Sequence, residues 1–155
     1  MSRFDKARLL AFLLPASLLG GAYVSQYWGG LFPCEMCWWQ RYPHFAALAF
    51  ALLALLVIKR SALVALAALC LIASGVIGGF HAGVEYGWWE GLTSCTSTIR
   101  GTGEDLLKSI MNAPIVRCDV APWNLFGISL AGYNFLISVT GGLGILWLLK
   151  PKAAS

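Results

Sequence analysis

Two cysteines three positions apart, Cys34 and Cys37, and an arginine four positions further on, Arg41, are the residues best suited to chemistry. They lie between two long apolar runs. Two thiols this close can form a disulfide or bind one metal ion, and a permanently charged guanidinium can stabilise a thiolate or bind an electron-rich ligand. The spacing therefore predicts thiol chemistry at Cys34 and Cys37.

The composition is that of a membrane protein. Of the 155 residues, 59% are hydrophobic and only 12% are charged, and the mean hydropathy is +0.73, whereas a soluble domain is roughly half apolar. The net charge of +4 comes from basic residues at the chain ends and in one short loop, without the basic stripe of a nucleic-acid-binding protein. We therefore expect a membrane protein with no nucleic-acid partner.

Four stretches are apolar over about 17 to 25 residues, the length needed to cross a membrane. We predict spans at 9–28, 37–58, 62–81 and 125–149. The second begins near Cys37 because Pro43 to Ile58 alone would measure about 24 Å, short of the ~30 Å hydrocarbon core. The first has the basic start of a signal peptide, but it is long for one and lacks a clear cleavage site. The predicted fold is an all-α membrane protein, a four-transmembrane-helix bundle forming a single domain over 1–155.

The distribution of charge predicts the orientation of this bundle. The N-terminus, the break at 59–61 and the C-terminal tail hold seven basic residues against one acid, and the other two connections hold four against six. The positive-inside rule therefore places both termini in the cytoplasm and the loops at 29–41 and 82–124 outside. Six of the seven tryptophans fall near this outer boundary, as interfacial aromatic residues do.

The cysteines divide between the loops and the spans. Cys34, Cys37, Cys95 and Cys118 fall in the two outer loops, and Cys70 falls within the third span. A lone thiol among apolar residues of a membrane helix is typically an inert small hydrophobe. The four outer cysteines are therefore the candidates for redox chemistry.

These four outer cysteines admit three interpretations. Structural disulfides persist outside the cytoplasm, but a Cys34–Cys37 bridge closes almost no chain and stabilises little. A four-cysteine metal site is disfavoured because Cys95 and Cys118 are 23 positions apart and thiolate metal sites suit reducing compartments. We favour the third, thiol–disulfide exchange between two cysteine pairs, and expect no metal site.

Such exchange needs an electron acceptor or donor beyond the four sulfurs. A cysteine pair at the membrane interface can reach a lipid-soluble carrier, and quinone is the obvious class. Arg41 could hydrogen-bond a quinone oxygen through its planar donor fork, or it could be an interfacial arginine whose charge reaches water. His44 and His81, at the outer ends of two spans, are candidates for a proton relay, a quinone ligand or interfacial anchors. Haem ligation by the two histidines lacks its expected motif.

The chain resembles the disulfide bond formation protein B family, DsbB, over nearly its whole length. The resemblance rests on the four spans, on the motif Pro-Cys-x-x-Cys-x-x-Gln-Arg at residues 33–41, and on two cysteines in a longer second outer loop. The stretch 118–129 is also family-like, and His81 falls where the family has a histidine near its quinone. The resemblance to this family implies that Arg41 assists quinone binding and that His81 lines the same site.

The resemblance implies a quinone-dependent protein-disulfide oxidoreductase of the bacterial inner membrane. Such an enzyme reoxidises a periplasmic, thioredoxin-fold thiol oxidase of the DsbA type and passes the electrons to ubiquinone or menaquinone. In this chain it implies that Cys34 and Cys37 form the quinone-proximal pair, with Cys37 as the thiolate that faces the quinone. It implies that Cys95 and Cys118 form the pair that meets the soluble partner.

Two rivals to this interpretation stay open, a reductive thiol relay of similar layout and a disulfide-stapled membrane scaffold without activity. Within the second loop, residues 102–111 have the capping and apolar pattern of a short amphipathic helix on the membrane surface. Loop length keeps Cys118 within about 25 Å of the membrane and gives Cys95 roughly twice that reach. Cys118 is therefore better placed to attack Cys34, and Cys95 to meet a soluble partner.

Overall fold

Four long helices account for most of the chain in a computed structural model, which describes residues 1–57, 59–92 and 116–150. Cys95 and the amphipathic helix predicted at 102–111 lie outside the described residues. The helices and the short strands between the last two helices are α1 Arg3–Tyr27, α2 Glu35–Leu56, α3 Ser61–Glu85, β1 Asn124–Leu125, β2 Ile128–Ser129 and α4 Leu130–Leu149.

Three of these helices, α1, α3 and α4, are long and apolar enough to cross a membrane. Helix α2 is comparable in length at 22 residues, but its first half carries Gln40, Arg41 and His44, which lower its hydropathy. The described residues thus form an all-helical bundle with three candidate spans. The second predicted span, at 37–58, stays a prediction.

Helix ends are set by side chains that satisfy unpaired backbone N–H groups. Ser2 and Asp5 form a reciprocal capping box at the start of α1. Cys34 caps α2 by accepting a hydrogen bond at its sulfur from the backbone N–H of Cys37, and α2 then continues through Pro43. The cysteine pair is therefore part of the cap and first turn of a helix.

Helix α3 packs against both α2 and α4, and its glycines allow the close approach to α4. A Cβ atom on Gly75 would lie 2.8 Å from Val139, and one on Gly79 would lie 2.8 Å from Phe135. Gly83, the third glycine at four-residue spacing, is instead covered by the ring of Trp89. Small residues thus bring α3 and α4 into contact along two helical turns.

The two ends of the bundle have different cores. One end, which we call the alanine end, is filled by small apolar side chains. Its fully buried members are Ala7, Ala11, Ala47, Ala51, Ala54, Val64, Ala67, Ala68, Leu71 and Ile145. The opposite end, the cysteine end, has a small cluster in which Cys34, Met36 and Val84 pack with Cys37 and Cys118.

A hairpin precedes α4 and corrects the expected start of the fourth span. We predicted that span from Leu125, but strands β1 and β2 pair there and the helix begins at Leu130. The turn residues Phe126 and Gly127 have φ angles of 52° and 78°, as a tight two-residue hairpin turn requires. The hydroxyl of Tyr86 donates to the carbonyl of Gly127 and fixes the hairpin to the end of α3.

Candidate functional site

The cysteine pair is a dithiol held in contact. The sulfurs of Cys34 and Cys37 are 2.9 Å apart, longer than the ~2.05 Å of a disulfide bond. Cys34 is only 5% exposed and its S–H donates to the sulfur of Cys37. This hydrogen bond, together with burial, raises the pKa of the Cys34 thiol. Loss of one proton from the pair would therefore leave the charge on Cys37 rather than on Cys34, and the N-terminal turn of α2 also favours a negative charge there.

A third sulfur lies beside this dithiol. The sulfurs of Cys34 and Cys118 and a ring nitrogen of His81 all lie within 4.8 Å of one another. An ion pair joins Arg117 and Asp119, the two residues on either side of Cys118 in the sequence. The Arg117 contact lowers the pKa of Asp119. The structure thus brings together three sequence-predicted residues that are far apart in the chain.

His81 stands between the dithiol and the interior of the bundle. Its Nε2 is 3.6 Å from the Cys34 sulfur, and its Nδ1 is 2.8 Å from the side-chain nitrogen of Gln40. The ring is 2% exposed. One ring nitrogen of His81 therefore faces the Cys34 sulfur, and the other is held by Gln40 of α2.

Arg41 ties α2 to α1 beside the dithiol. Its guanidinium donates to the side-chain oxygen of Gln26 at 2.7 Å and to the carbonyl of Ala22 at 3.3 Å. The rings of Tyr23 and Trp38 each lie 4.8 Å from the guanidinium carbon. With 6% exposure, Arg41 is a buried cation flanked by two aromatic rings.

Two cavities meet at the cysteine pair. The first, of about 240 Å³, lies among α1, α2 and α4 and is lined by Cys37, Arg41 and His44 among mostly apolar side chains. The second, of about 270 Å³, lies under residues 116–122 and is lined by both Cys34 and Cys37. Cys37 thus borders both cavities, and Cys34 borders only the cavity beneath the segment that carries Cys118.

A buried network of polar side chains lies beneath the dithiol, and sequence reasoning missed it. Asn134 of α4 donates to the side-chain oxygen of Gln40 at 2.9 Å and to the backbone carbonyl of Ser74 at 3.2 Å. Its own oxygen contacts His44 at 3.0 Å and accepts from Ser138 at 2.7 Å. Polar residues inside an apolar span were the available signal, because they are costly there unless they are paired or functional.

Glu85 is a second residue that sequence reasoning missed. Its carboxyl is 3% exposed and lies 3.8 Å from Nε2 of His81. One carboxyl oxygen has no hydrogen-bond partner among the described residues, and the side chain lines both cavities. Its position one helical turn after His81 could have indicated this proximity.

Three sequence-predicted residues remain. Cys70 packs against the alanine end. His44 is buried at 3% exposure, contacts Asn134 and lines the first cavity. Cys95 lies outside the described residues.

These features define a class, a helical membrane protein with a paired-thiol site at one end of its bundle. Residues 4–148 match the family model described as "Disulfide bond formation protein DsbB". The chain belongs to this family, and membership indicates a membrane protein of disulfide bond formation with disulfide oxidoreductase activity.

A protein of Rickettsia prowazekii (strain Madrid E), named "Uncharacterized protein RP370", is a distant relative. It is 25% identical over 143 residues, which cover 88% of this chain and 83% of the relative. No solved structure matches the chain significantly. The family assignment therefore rests on the match over 4–148.

Proposed function

We propose that the protein is a thiol:quinone oxidoreductase that reoxidises a periplasmic DsbA-like thiol oxidase and passes the electrons to membrane quinone. The observation that carries this proposal is the placement of Cys37 at the boundary of two cavities. One cavity leads into the bundle and the other lies beneath Cys118. A two-sided cysteine pair suits an enzyme that exchanges with a protein disulfide on one side and with a small oxidant on the other.

The first cavity fits a quinone. Its lining is mostly apolar, with Arg41 and His44 as polar groups close to Cys37, the usual balance for a site that binds a small ring with polar oxygens. The buried Nδ1 of His44 has no hydrogen-bond partner among the residues described. Ubiquinone or menaquinone, when bound, supplies a two-electron, two-proton acceptor. Arg41 and His81 are the residues that we assign to its binding.

The chain's own residues carry out the exchange. The partner's dithiol reduces the Cys95–Cys118 disulfide, and the Cys118 thiolate then attacks the sulfur of Cys34. A Cys34–Cys118 bond forms, the Cys34–Cys37 bond breaks, and Cys37 leaves as a thiolate. Cys95 then attacks Cys118, so the Cys95–Cys118 disulfide forms again and Cys34 leaves as a thiolate. The two electrons from the partner then lie on the Cys34–Cys37 dithiol, which would pass them to a bound quinone.

The proximity of Cys34, His81 and Cys118 supports this order of steps. Cys34 caps α2, and the sulfur of Cys118, in the segment before the hairpin, lies within 4.8 Å of the Cys34 sulfur. The partner's point of attack, Cys95, is assigned from loop reach. Both thiol pairs are thereby given a role in one path.

The proposal includes a location and an orientation. We place the chain in the bacterial inner membrane with α2 as a fourth span, both termini in the cytoplasm and the cysteine end in the periplasm. The seven basic residues at the alanine end and chain termini support this orientation. It puts all four redox cysteines in the oxidising compartment.

Reconstitution tests the proposed function. The full chain in lipid vesicles is mixed with a reduced thioredoxin-fold partner and a quinone, and quinone absorbance is followed. Catalytic quinone reduction supports the proposal. Turnover only with quinol and oxidised partner would instead identify a reductive relay, and no turnover in either direction would identify a scaffold.

A further inference from the structure

We propose that Gln40 and Asn134 are positioning residues that hold both histidines of the chain in the tautomer with the proton on Nε2, so that His81 presents an N–H group to the sulfur of Cys34. The tautomers follow from the order of donors and acceptors in the buried network. The consequence for Cys34 rests on the proposed thiol exchange.

Asn134 has one orientation that satisfies its neighbours. Its Nδ2 lies 3.2 Å from the backbone carbonyl of Ser74, which can only accept, so Nδ2 must be the atom on that side. Nδ2 therefore also donates to Oε1 of Gln40 at 2.9 Å. The opposite atom, Oδ1, accepts from the hydroxyl of Ser138 and faces Nε2 of His44 at 3.0 Å. That nitrogen of His44 must carry the proton.

The Gln40 amide, oriented by Asn134, determines which nitrogen of His81 carries the proton. Its Oε1 is the acceptor for Asn134, and its Nε2 donates to the backbone carbonyl of Met36 at 3.2 Å. The second N–H of that amide points to Nδ1 of His81 at 2.8 Å. Nδ1 must therefore be the unprotonated nitrogen, and the imidazole proton lies on Nε2.

The proton on Nε2 of His81 faces the exchange site. It is directed to the sulfur of Cys34, 3.6 Å away. When Cys95 attacks Cys118, the Cys95–Cys118 bond forms, the Cys34–Cys118 bond breaks and Cys34 leaves as a thiolate. An N–H donor stabilises that charge. The protonated Nε2 also offers no lone pair to a metal ion among the three clustered donor atoms.

Nitrogen NMR of the imidazoles tests the inference directly. The chain contains only two histidines, so untagged protein labelled with ¹⁵N-histidine gives two pairs of ring resonances, measured without quinone or partner. We expect an unprotonated Nδ1 and a protonated Nε2 in both rings. A proton on Nδ1 of either ring in the neutral wild-type protein would overturn the inference.

Two variants separate the positioning effect from a packing effect. Gln40→Glu replaces the donor opposite His81 with a carboxylate, so Nδ1 of His81 should become protonated while His44 is unchanged. Asn134→Leu removes the acceptor from His44 and a donor to Gln40. It should alter the His44 resonances most and the His81 resonances less, because the Met36 carbonyl still orients the Gln40 amide. The control, Ser138→Ala, removes a hydrogen bond to the same Asn134 oxygen without changing the donor order, and should leave both rings unchanged. An unaltered His81 Nδ1 in folded Gln40→Glu would contradict the inference.

A chemical measurement tests the consequence for Cys34. In a Cys37→Ala background, with Cys95 and Cys118 oxidised, the rate of Cys34 alkylation reports its thiolate. His81→Phe should slow this alkylation by roughly tenfold, since a hydrogen bond to a charged group is lost. An unchanged rate would remove the assigned role of the N–H group. Neither measurement requires quinone turnover, so failure here is distinguishable from failure of the proposed function.

Discussion

The alanine end and the cysteine end of the bundle are built on different physical principles. At the alanine end, residues such as Ala47, Ala51 and Ala68 are completely buried, and helices associate through close packing of small apolar side chains. At the cysteine end, Gln40, His81 and Asn134 join three helices through hydrogen bonds. Packing at the alanine end requires only small side chains, whereas the cysteine end requires hydrogen-bond donors to lie opposite acceptors.

This difference determines which substitutions each end tolerates. Apolar packing changes gradually with side-chain volume. A buried polar group that loses its partner bears the full cost of desolvation. The cysteine end therefore combines reactivity with a more demanding structure, and changes there should affect both activity and stability.

The largest contrast is expected between the cysteines of the two ends. Cys37→Ala should reduce quinone reduction to the background rate, because the Cys34–Cys37 disulfide can then no longer form. Cys70→Ala, which alters a half-buried thiol packed at the alanine end, should retain nearly full activity. Steady-state quinone absorbance measures both variants, and substantial turnover by Cys37→Ala would contradict the assignment of the site.

The next contrast concerns stability. Asn134→Leu should lower the free energy of unfolding by about 2 kcal/mol, because buried groups on Gln40 and His44 lose their partner. Ala51→Gly, at a fully buried position of the alanine end, should cost about 1 kcal/mol or less. Unfolding titrations in detergent compare the two. Equal losses would mean that the polar network contributes no special stability.

Arg41 links stability to substrate binding. Arg41→Ala should raise the KM for quinone by roughly tenfold, because a charged donor beside the cavity is lost. Arg41→Lys should recover part of this, since it keeps the charge but loses the fork. Gln26→Leu removes one hydrogen-bond partner of Arg41 and leaves the carbonyl of Ala22 in place, so it should have a smaller effect. An unchanged KM in Arg41→Ala would restrict this residue to packing α1 against α2.

The smallest predicted effect tests the hairpin that supports the cysteine end. Gly127→Ala places a side chain at a φ of 78° and should destabilise the protein by about 1 kcal/mol. Gly144→Ala, in α4 with no atom near the added Cβ, should be neutral or slightly stabilising. Thermal unfolding in detergent measures both. An unchanged unfolding temperature in Gly127→Ala would show that the positive φ angle at this turn does not require glycine.

The sequence predicted the helices because hydropathy acts locally along the chain. It did not predict the hairpin at Asn124–Ser129, since that short segment is apolar enough to extend the following span. The cysteine pair was recognisable from its spacing. The network through Asn134 was not recognisable from the sequence. Its partners Gln40 and Ser74 lie 94 and 60 positions away, and they meet Asn134 only after three helices pack together.

The central claim, that the Cys34–Cys37 pair reduces quinone, has one most direct measurement. A Cys95→Ser, Cys118→Ser variant retains only this pair at the cysteine end, and it is reduced and mixed anaerobically with a limited amount of quinone. We expect one quinol for each Cys34–Cys37 disulfide, with the bond located by peptide mapping. Quinone that stays oxidised while both thiols stay reduced would contradict the claim.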